Sequence, residues 1–251
     1  MYDDLAADYD RFVDWAGRLK VELPFLERQL QAVGARRVLD AACGTGMHAI
    51  ALAQRGFEAV GTDLSAPMIV RAQENAASAG VQVRFAVAGF GELAARVGGG
   101  FDALLCLGNS LPHVLAPDEL AATLADFAAC LRPGGLLLVQ NRNFDAVLTA
   151  RQRWMEPQAQ REGETEWLFL RFYDFEPDGT LAFHMWTLKR EGTRPWRQHV
   201  TSTRLHPWLR AELVTALGQA GFGRIAACGD LQGTTFDAAR SPNLVLTAAR
   251  Q

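Results

Sequence analysis

The chain has 251 residues, 49% of them hydrophobic, and a formal net charge of -3. That is enough apolar material for one full core, or a core plus a smaller cap, so disorder is excluded as the default state. The lack of a basic excess argues against a protein that grips nucleic acid along its phosphates, which leaves small molecules as the expected partners.

The opening Met1-Tyr2-Asp3-Asp4 is acidic and leads into no long apolar run, so the sequence predicts neither a signal peptide nor a membrane span, and a cytoplasmic location. Residues 9–15 form an acidic and aromatic approach to an amphipathic helix at 18–30; together, 1–35 read as a helical lid able to cover a ligand. From 36 to 139 short apolar runs alternate with segments of helical period. This pattern winds a mostly parallel sheet with helices on both faces. Strands are predicted at 37–41, 58–62, 83–86, 103–107 and 136–140, with helices following Gly46, Ala66, Gly91 and Pro117. Arg132-Pro133-Gly134-Gly135 is read as the turn that ends the last of these helices.

Beyond the fifth strand the period changes. Runs at 167–175 and 181–189 flank Glu176-Pro177-Asp178-Gly179, a strong hairpin turn, and a third run at 198–205 completes an antiparallel meander. Helix resumes at 207–220, and strands at 223–228 and 243–248 complete a seven-stranded sheet. The expected division is therefore a core of 36–145 with 206–251, interrupted by an antiparallel β insertion at 146–205. The insertion carries Trp154, Trp167, Trp186 and Trp196, which suit either a substrate cap or a small secondary core. Cys43, Cys106, Cys130 and Cys228 stand far apart in apolar runs and read as buried thiols, and the five histidines show no metal-ligand spacing, so no metal is expected.

The strongest local signal is Val38-Leu39-Asp40-Ala41-Ala42-Cys43-Gly44-Thr45-Gly46, an apolar strand entering a Gly-x-Gly turn that opens a helix. Glycines there let backbone approach a ligand closely. Asp63, nineteen positions after Gly44, ends the second strand, where a carboxylate can accept from both hydroxyls of a ribose. Together these describe an adenosine site. A nicotinamide enzyme shares both features, but Asp40, one turn before the glycines, would repel a pyrophosphate and suits an ammonium group.

These residues, with Leu107-Gly108-Asn109-Ser110, resemble the motifs of class I S-adenosylmethionine-dependent methyltransferases, a Rossmann-like superfamily. Within it, Leu107-Gly108-Asn109-Ser110-Leu111-Pro112-His113 and Asn141-Arg142-Asn143-Phe144-Asp145 are similar to the glycine and sarcosine N-methyltransferases. The resemblance implies S-adenosylmethionine as co-substrate, transfer of its methyl group to a small-molecule acceptor such as an amino acid or related amine, and admits a homo-oligomer. It implies the methionine end of the cofactor near Asp40, Ala42, Gly44 and Gly46, the ribose on Asp63, and Leu64, Met68, Gly89 and Phe90 around the adenine. Leu107 and Gly108 then face the sulfur, and Tyr9 covers it from the lid. Asn109, Arg142 and Tyr173 fall to the acceptor, with Asn109 and His113 as catalytic candidates. Each of these has a plainer alternative: Asn109 as a turn cap, His113 as a structural histidine, Arg142 as a surface partner of Asp145. Tyr2, Tyr9 and Tyr173 are the chain's three tyrosines, fewer than the resembling enzymes place around their acceptor. An oxygen or carbon acceptor, and a protein that binds the cofactor without turnover, stay open on these residues.

Overall fold

The computed structural model describes residues 9–251; Tyr2 and the expected start of the lid lie outside the described residues. A four-residue helix α1 (Tyr9–Phe12) precedes α2 (Trp15–Ala32), whose first turn is capped by Asp14 accepting from the Gly17 N–H at 3.0 Å. That cap starts α2 three residues before the expected position. Its inner face buries Leu23, Phe25, Leu26 and Leu30.

The core follows as β1 (Arg37–Ala41), α3 (Met47–Ala53), β2 (Glu58–Asp63), α4 (Ala66–Ser78), β3 (Arg84–Val87), α5 (Leu93–Val97), β4 (Phe101–Cys106), α6 (Pro117–Cys130) and β5 (Leu131–Arg142). After a short α7 (Phe144–Ala150) come the strands β6 (Gln158–Glu162), β7 (Thr165–Phe175), β8 (Leu181–Glu191) and β9 (Arg197–Leu205). The chain then returns through α8 (Arg210–Gln219), β10 (Phe222–Cys228) and β11 (Asn243–Arg250).

Seven strands form one sheet in the order β10-β11-β5-β4-β1-β2-β3, parallel from β5 to β3 and antiparallel at β11 and β10. One apolar cluster, with Leu104, Phe127 and Leu217, covers one face; a second, with Leu26, Leu52 and Leu138, covers the other. Burial of both faces explains why β1, β4 and β5 read as nearly continuous apolar runs. Strand order reverses beside β1, so the loops after β1 and β4 diverge and open a crevice at the carboxyl ends of the strands.

The insertion is a separate four-stranded antiparallel sheet, β6-β7-β8-β9. Three of its strands were expected; β6 was not, because Gln-Ala-Gln-Arg-Glu is exposed along its length and exists as a strand by pairing with β7. β5 is longer than expected at its start. Leu131 pairs with Phe101 across a bulge, so Arg132-Pro133-Gly134-Gly135 belongs to the strand rather than to a turn before it. Cys43, Cys106 and Cys130 are buried, Cys228 half-buried, and burial raises the pKa of each thiol. No helix among the described residues is long and apolar enough to cross a membrane. None of their His, Cys, Asp and Glu side chains gather in threes fit to hold a metal.

Candidate functional site

The carboxyl ends of β1, β2 and β4 open into a cavity of about 350 Å³. Its floor is the turn between β1 and α3. Gly44 and Gly46 have φ of +54° and +78°, and Gly46 caps α3 from the left-handed region. A Cβ on Gly46 would come within 2.7 Å of the Phe85 ring and 2.9 Å of Ala72, so this glycine serves both backbone and packing. Gly46→Ala is expected to lower unfolding stability by about 2 kcal/mol or more, seen as a lower urea midpoint at unchanged slope.

Asp63 holds this turn from the next strand. Its Oδ2 accepts from the Gly44 N–H at 2.8 Å and its Oδ1 from the Ser65 N–H at 2.9 Å. Leu64 beside it is 76% exposed, an unusual state for a leucine on a cavity wall, while Met68 on the next turn is buried. Ala88, Gly89 and Phe90 share that wall, a Cβ on Gly89 coming within 3.2 Å of Leu64, and the Phe90 ring is packed edge-on against Phe127 at 5.4 Å.

Asp40 is 2% exposed and its Oδ2 has no hydrogen-bond partner. Burial raises its pKa to about 6, with the nearby Asp63 adding to the rise and His48, a backbone hydrogen bond from Ala49, and Arg18 opposing it. A buried carboxylate so placed gains from an arriving cation. A ligand whose ammonium favours ionised Asp40 should therefore bind more tightly as pH climbs through about 6. Titration calorimetry with S-adenosylhomocysteine across that range should show the rise, and Asp40→Asn should flatten it.

Helix α1 lies beside the glycine turn, with Tyr9 on the cavity wall. Asp10 accepts at Oδ1 from the Thr45 hydroxyl (2.6 Å) and the Trp15 indole (3.0 Å), and at Oδ2 from Arg71 (3.0 Å) and Asn75 (3.1 Å). These bonds fix α1 to the start of α3 and to α4, and bring Tyr9 within 3.7 Å of a Cβ built on Gly44. On its other side α1 meets the cap, through Phe12 against Phe169 at 5.4 Å and Arg11 to Glu162 at 3.1 Å. Sequence reasoning missed three cavity residues here: Trp15, Arg18 and His48. Arg18 donates to Glu22 at 2.9 Å, and Glu22 in turn meets His48 Nε2 at 2.7 Å. A Trp-x-x-Arg stretch on a lid helix has no adenosine signature of its own, so only the fold reveals it.

The loop after β4 supplies Leu107, Gly108, Ser110 and His113 to the cavity wall. Gly108 donates to Gln140 Oε1 at 2.7 Å, and Asn109, at φ +72°, donates its N–H to the Gln140 carbonyl at 3.1 Å. The Asn109 side chain points its Oδ1 at the Arg142 N–H, 2.8 Å away. Asn109 thus clamps two strand ends together, and does not line the cavity. His113 does line it, with burial pushing its pKa down to about 4. The cap contributes Thr203. None of the four cap tryptophans reaches the cavity: Trp167 lies in a secondary core, and Trp154, Trp186 and Trp196 are exposed at 56%, 37% and 38%.

Arg142 and Tyr173 stand behind the cavity wall. Arg142 makes no ion pair with Asp145, which accepts instead from the Arg210 N–H at 3.1 Å. Its Nε is buried without a partner. Asn143 anchors the turn beneath it, donating to the carbonyls of Asp237, Ala238 and Ser241 at 3.3, 3.0 and 3.0 Å. Tyr173 packs on Phe144, and its phenol is pushed up to about 12 by burial.

Residues 38–135 match a family described as a methyltransferase domain. The chain is similar to the glycine/sarcosine N-methyltransferase of Halorhodospira halochloris, 38% identical over 146 residues that cover 58% of this chain and 54% of that one. It thus spans about half the length of the curated relatives it matches. Among solved structures, that of the CcbJ methyltransferase from Streptomyces caelestis is 26% identical with a TM-score of 0.77, covering 100% of this chain and 98% of the other. An S-adenosylmethionine-dependent methyltransferase from Clostridium acetobutylicum, 16% identical, superposes with a TM-score of 0.80 over 99% and 98% of the two chains and shows the shared fold.

Proposed function

We propose that this chain, a methyltransferase domain across residues 38–135, transfers the methyl group of S-adenosylmethionine to the nitrogen of a small amine that carries an acid group, an amino acid or amino acid-like molecule. The observation that carries this reading is the pairing, in one cavity, of Asp63 on the glycine turn with a buried Asp40 that has an unpartnered oxygen. The first suits vicinal hydroxyls and the second an ammonium, whereas a pyrophosphate would meet two carboxylates. Similarity to glycine/sarcosine N-methyltransferases supports the acceptor half.

Asp63 would take the ribose, Leu64, Met68, Ala88 and Phe90 the adenine, and Asp40 with the backbone of Ala42 and Gly44 the amino group of the methionine end. Arg18, the cation on the same wall, would meet its carboxylate. S-adenosylmethionine supplies a methyl group already activated on sulfur, so no protein nucleophile is required. The protein's part is alignment and exclusion of water. Tyr9 and Trp15 shut the lid side, and Leu107 with Gly108 leaves room for an incoming nitrogen. The nitrogen must arrive neutral. With a pKa near 4, His113 is neutral at physiological pH and poor at storing a proton. It serves as a hydrogen-bond acceptor that turns the lone pair toward the methyl group, the proton going to water. Arg142 would hold the acid end, its place fixed by the Asn109 clamp.

Incubation with labelled S-adenosylmethionine and a library of amines and amino acids tests the reading by mass. Label on the nitrogen of an acid-bearing amine is expected. Label on oxygen or carbon, on an amine without an acid group, or none at all in a protein that binds S-adenosylhomocysteine, would overturn it.

A further inference from the structure

We propose that the acid end of the acceptor is gripped by two guanidiniums, Arg171 as well as Arg142, and that the pair selects amines whose acid end bears two negative charges over those with a single carboxylate. The inference rests on the reading above, that the acceptor is an acid-bearing amine. Arg171 lies on β7 two residues before Tyr173, so strand alternation sets both on one face of the cap sheet. Tyr173 packs against Phe144, with ring centroids 6.3 Å apart, and Phe144 is two residues past Arg142. The charges of both arginines bear on the Tyr173 phenol, which sets two arginines from two different sheets near one hydroxyl.

Each has a buried Nε with no hydrogen-bond partner. Among the described residues neither forms an ion pair, although Arg153, Arg190, Arg194, Arg197 and Arg204 of the same cap each have a carboxylate. Arg171 rests over the Phe12 ring at 4.7 Å, and Phe12 belongs to the lid helix whose Tyr9 lines the cofactor cavity. Arg171 is thus one ring away from the helix that lines the cavity, and among the described residues it rests on an aromatic ring rather than on an acid. Burial and the charge of Arg142 both lower the Arg171 pKa, with Tyr173 and Tyr9 pulling the other way, and the Tyr173 phenol stays protonated, so among the described residues no group supplies the missing negative charge. Two unbalanced cations in a half-buried place favour a ligand that neutralises both. One carboxylate balances one guanidinium. A second carboxylate, or a phosphonate with its three oxygens, balances the pair and meets the donors that both forks present.

The test separates the anion site from the methylation reading. Protein saturated with S-adenosylhomocysteine is titrated by calorimetry with acetate and with malonate. Wild type should bind malonate at least about tenfold more tightly than acetate. Arg171→Gln should remove most of that ratio, and Arg171→Lys should restore part of it, each variant first being shown to unfold cooperatively in buffer. Turnover is then compared for glycine, aspartate and aminomethylphosphonate, with the two dianionic amines favoured by wild type and not by Arg171→Gln. Equal affinity of wild type for the two simple anions, or a ratio indifferent to Arg171→Gln, would overturn the inference while leaving acid-bearing amines as acceptors. Preference for malonate with no methylation of any acid-bearing amine would leave the two-arginine anion site standing and remove the acceptor reading.

Discussion

Asp63→Ala is expected to weaken S-adenosylhomocysteine binding about 100-fold, from the loss of some 3 kcal/mol in two charged hydrogen bonds to the ribose hydroxyls, less what water restores. The geometry adds a second cost. The same carboxylate accepts from the N–H groups of Gly44 and Ser65, so the variant also frees the glycine turn that shapes the floor of the cavity. A modest fall in melting temperature should accompany the loss of affinity. Asp63→Asn separates the two effects: its one carbonyl oxygen can keep the Gly44 bond and hold the turn, while the charge that strengthens the ribose bonds is gone. Calorimetry should rank affinity as wild type, then Asn, then Ala, with the Asn variant between the other two in stability because its amide nitrogen cannot accept from the Ser65 N–H. Unchanged affinity in a folded Ala variant would remove the ribose from Asp63.

The residues legible in the sequence were those whose meaning is local. β1 was expected at 37–41 and occupies Arg37–Ala41, because an apolar strand entering Gly-x-Gly admits few other structures. Asp40, Gly44, Asp63 and Gly108 were likewise placed by strand ends and turns, whereas Ala42, Leu64, Met68, Gly89, Phe90 and Leu107 were named only through the resemblance to methyltransferases. Residues were missed where meaning depends on a partner far along the chain. β6 is polar throughout and is a strand only because β7 offers an edge. Arg171, in Leu168-Phe169-Leu170-Arg171-Phe172-Tyr173, has no motif around it; its significance comes from Arg142 on another sheet and from the lack of an acid partner among the described residues. Asp10 is the same kind of case, a lone acid whose four donors come from α2, the glycine turn and α4. The tryptophans, which suited either a substrate cap or a small secondary core, divide by face: Trp167 is buried in such a core, and Trp186, on a two-faced sheet where alternate residues face away, lies on the face opposite Arg171.

The largest effect at the acceptor end should come from Arg142. Arg142→Ala is expected to lower kcat/KM by about 10–200-fold, the equivalent of roughly 1.5–3 kcal/mol of charged hydrogen bonding, with cofactor affinity little changed. The variant keeps its frame, because Asn109 holds the backbone N–H of residue 142 rather than its side chain, and Asn143 holds the turn that follows. Arg142→Lys should keep the charge and lose the bidentate geometry, so acceptors of different length should become harder to tell apart. The mechanism makes a further demand on this pair of variants. If the guanidinium binds the acid of the acceptor, replacing that acid by a carboxamide must hurt the wild type much as the alanine substitution does, and must hurt the alanine variant little more. Two changes that delete the same interaction are not additive. Steady-state rates for both enzymes with both acceptors provide the four corners of that cycle. Equal sensitivity of the two enzymes to the carboxamide would make Arg142 a structural residue and move the acceptor away from amino acids.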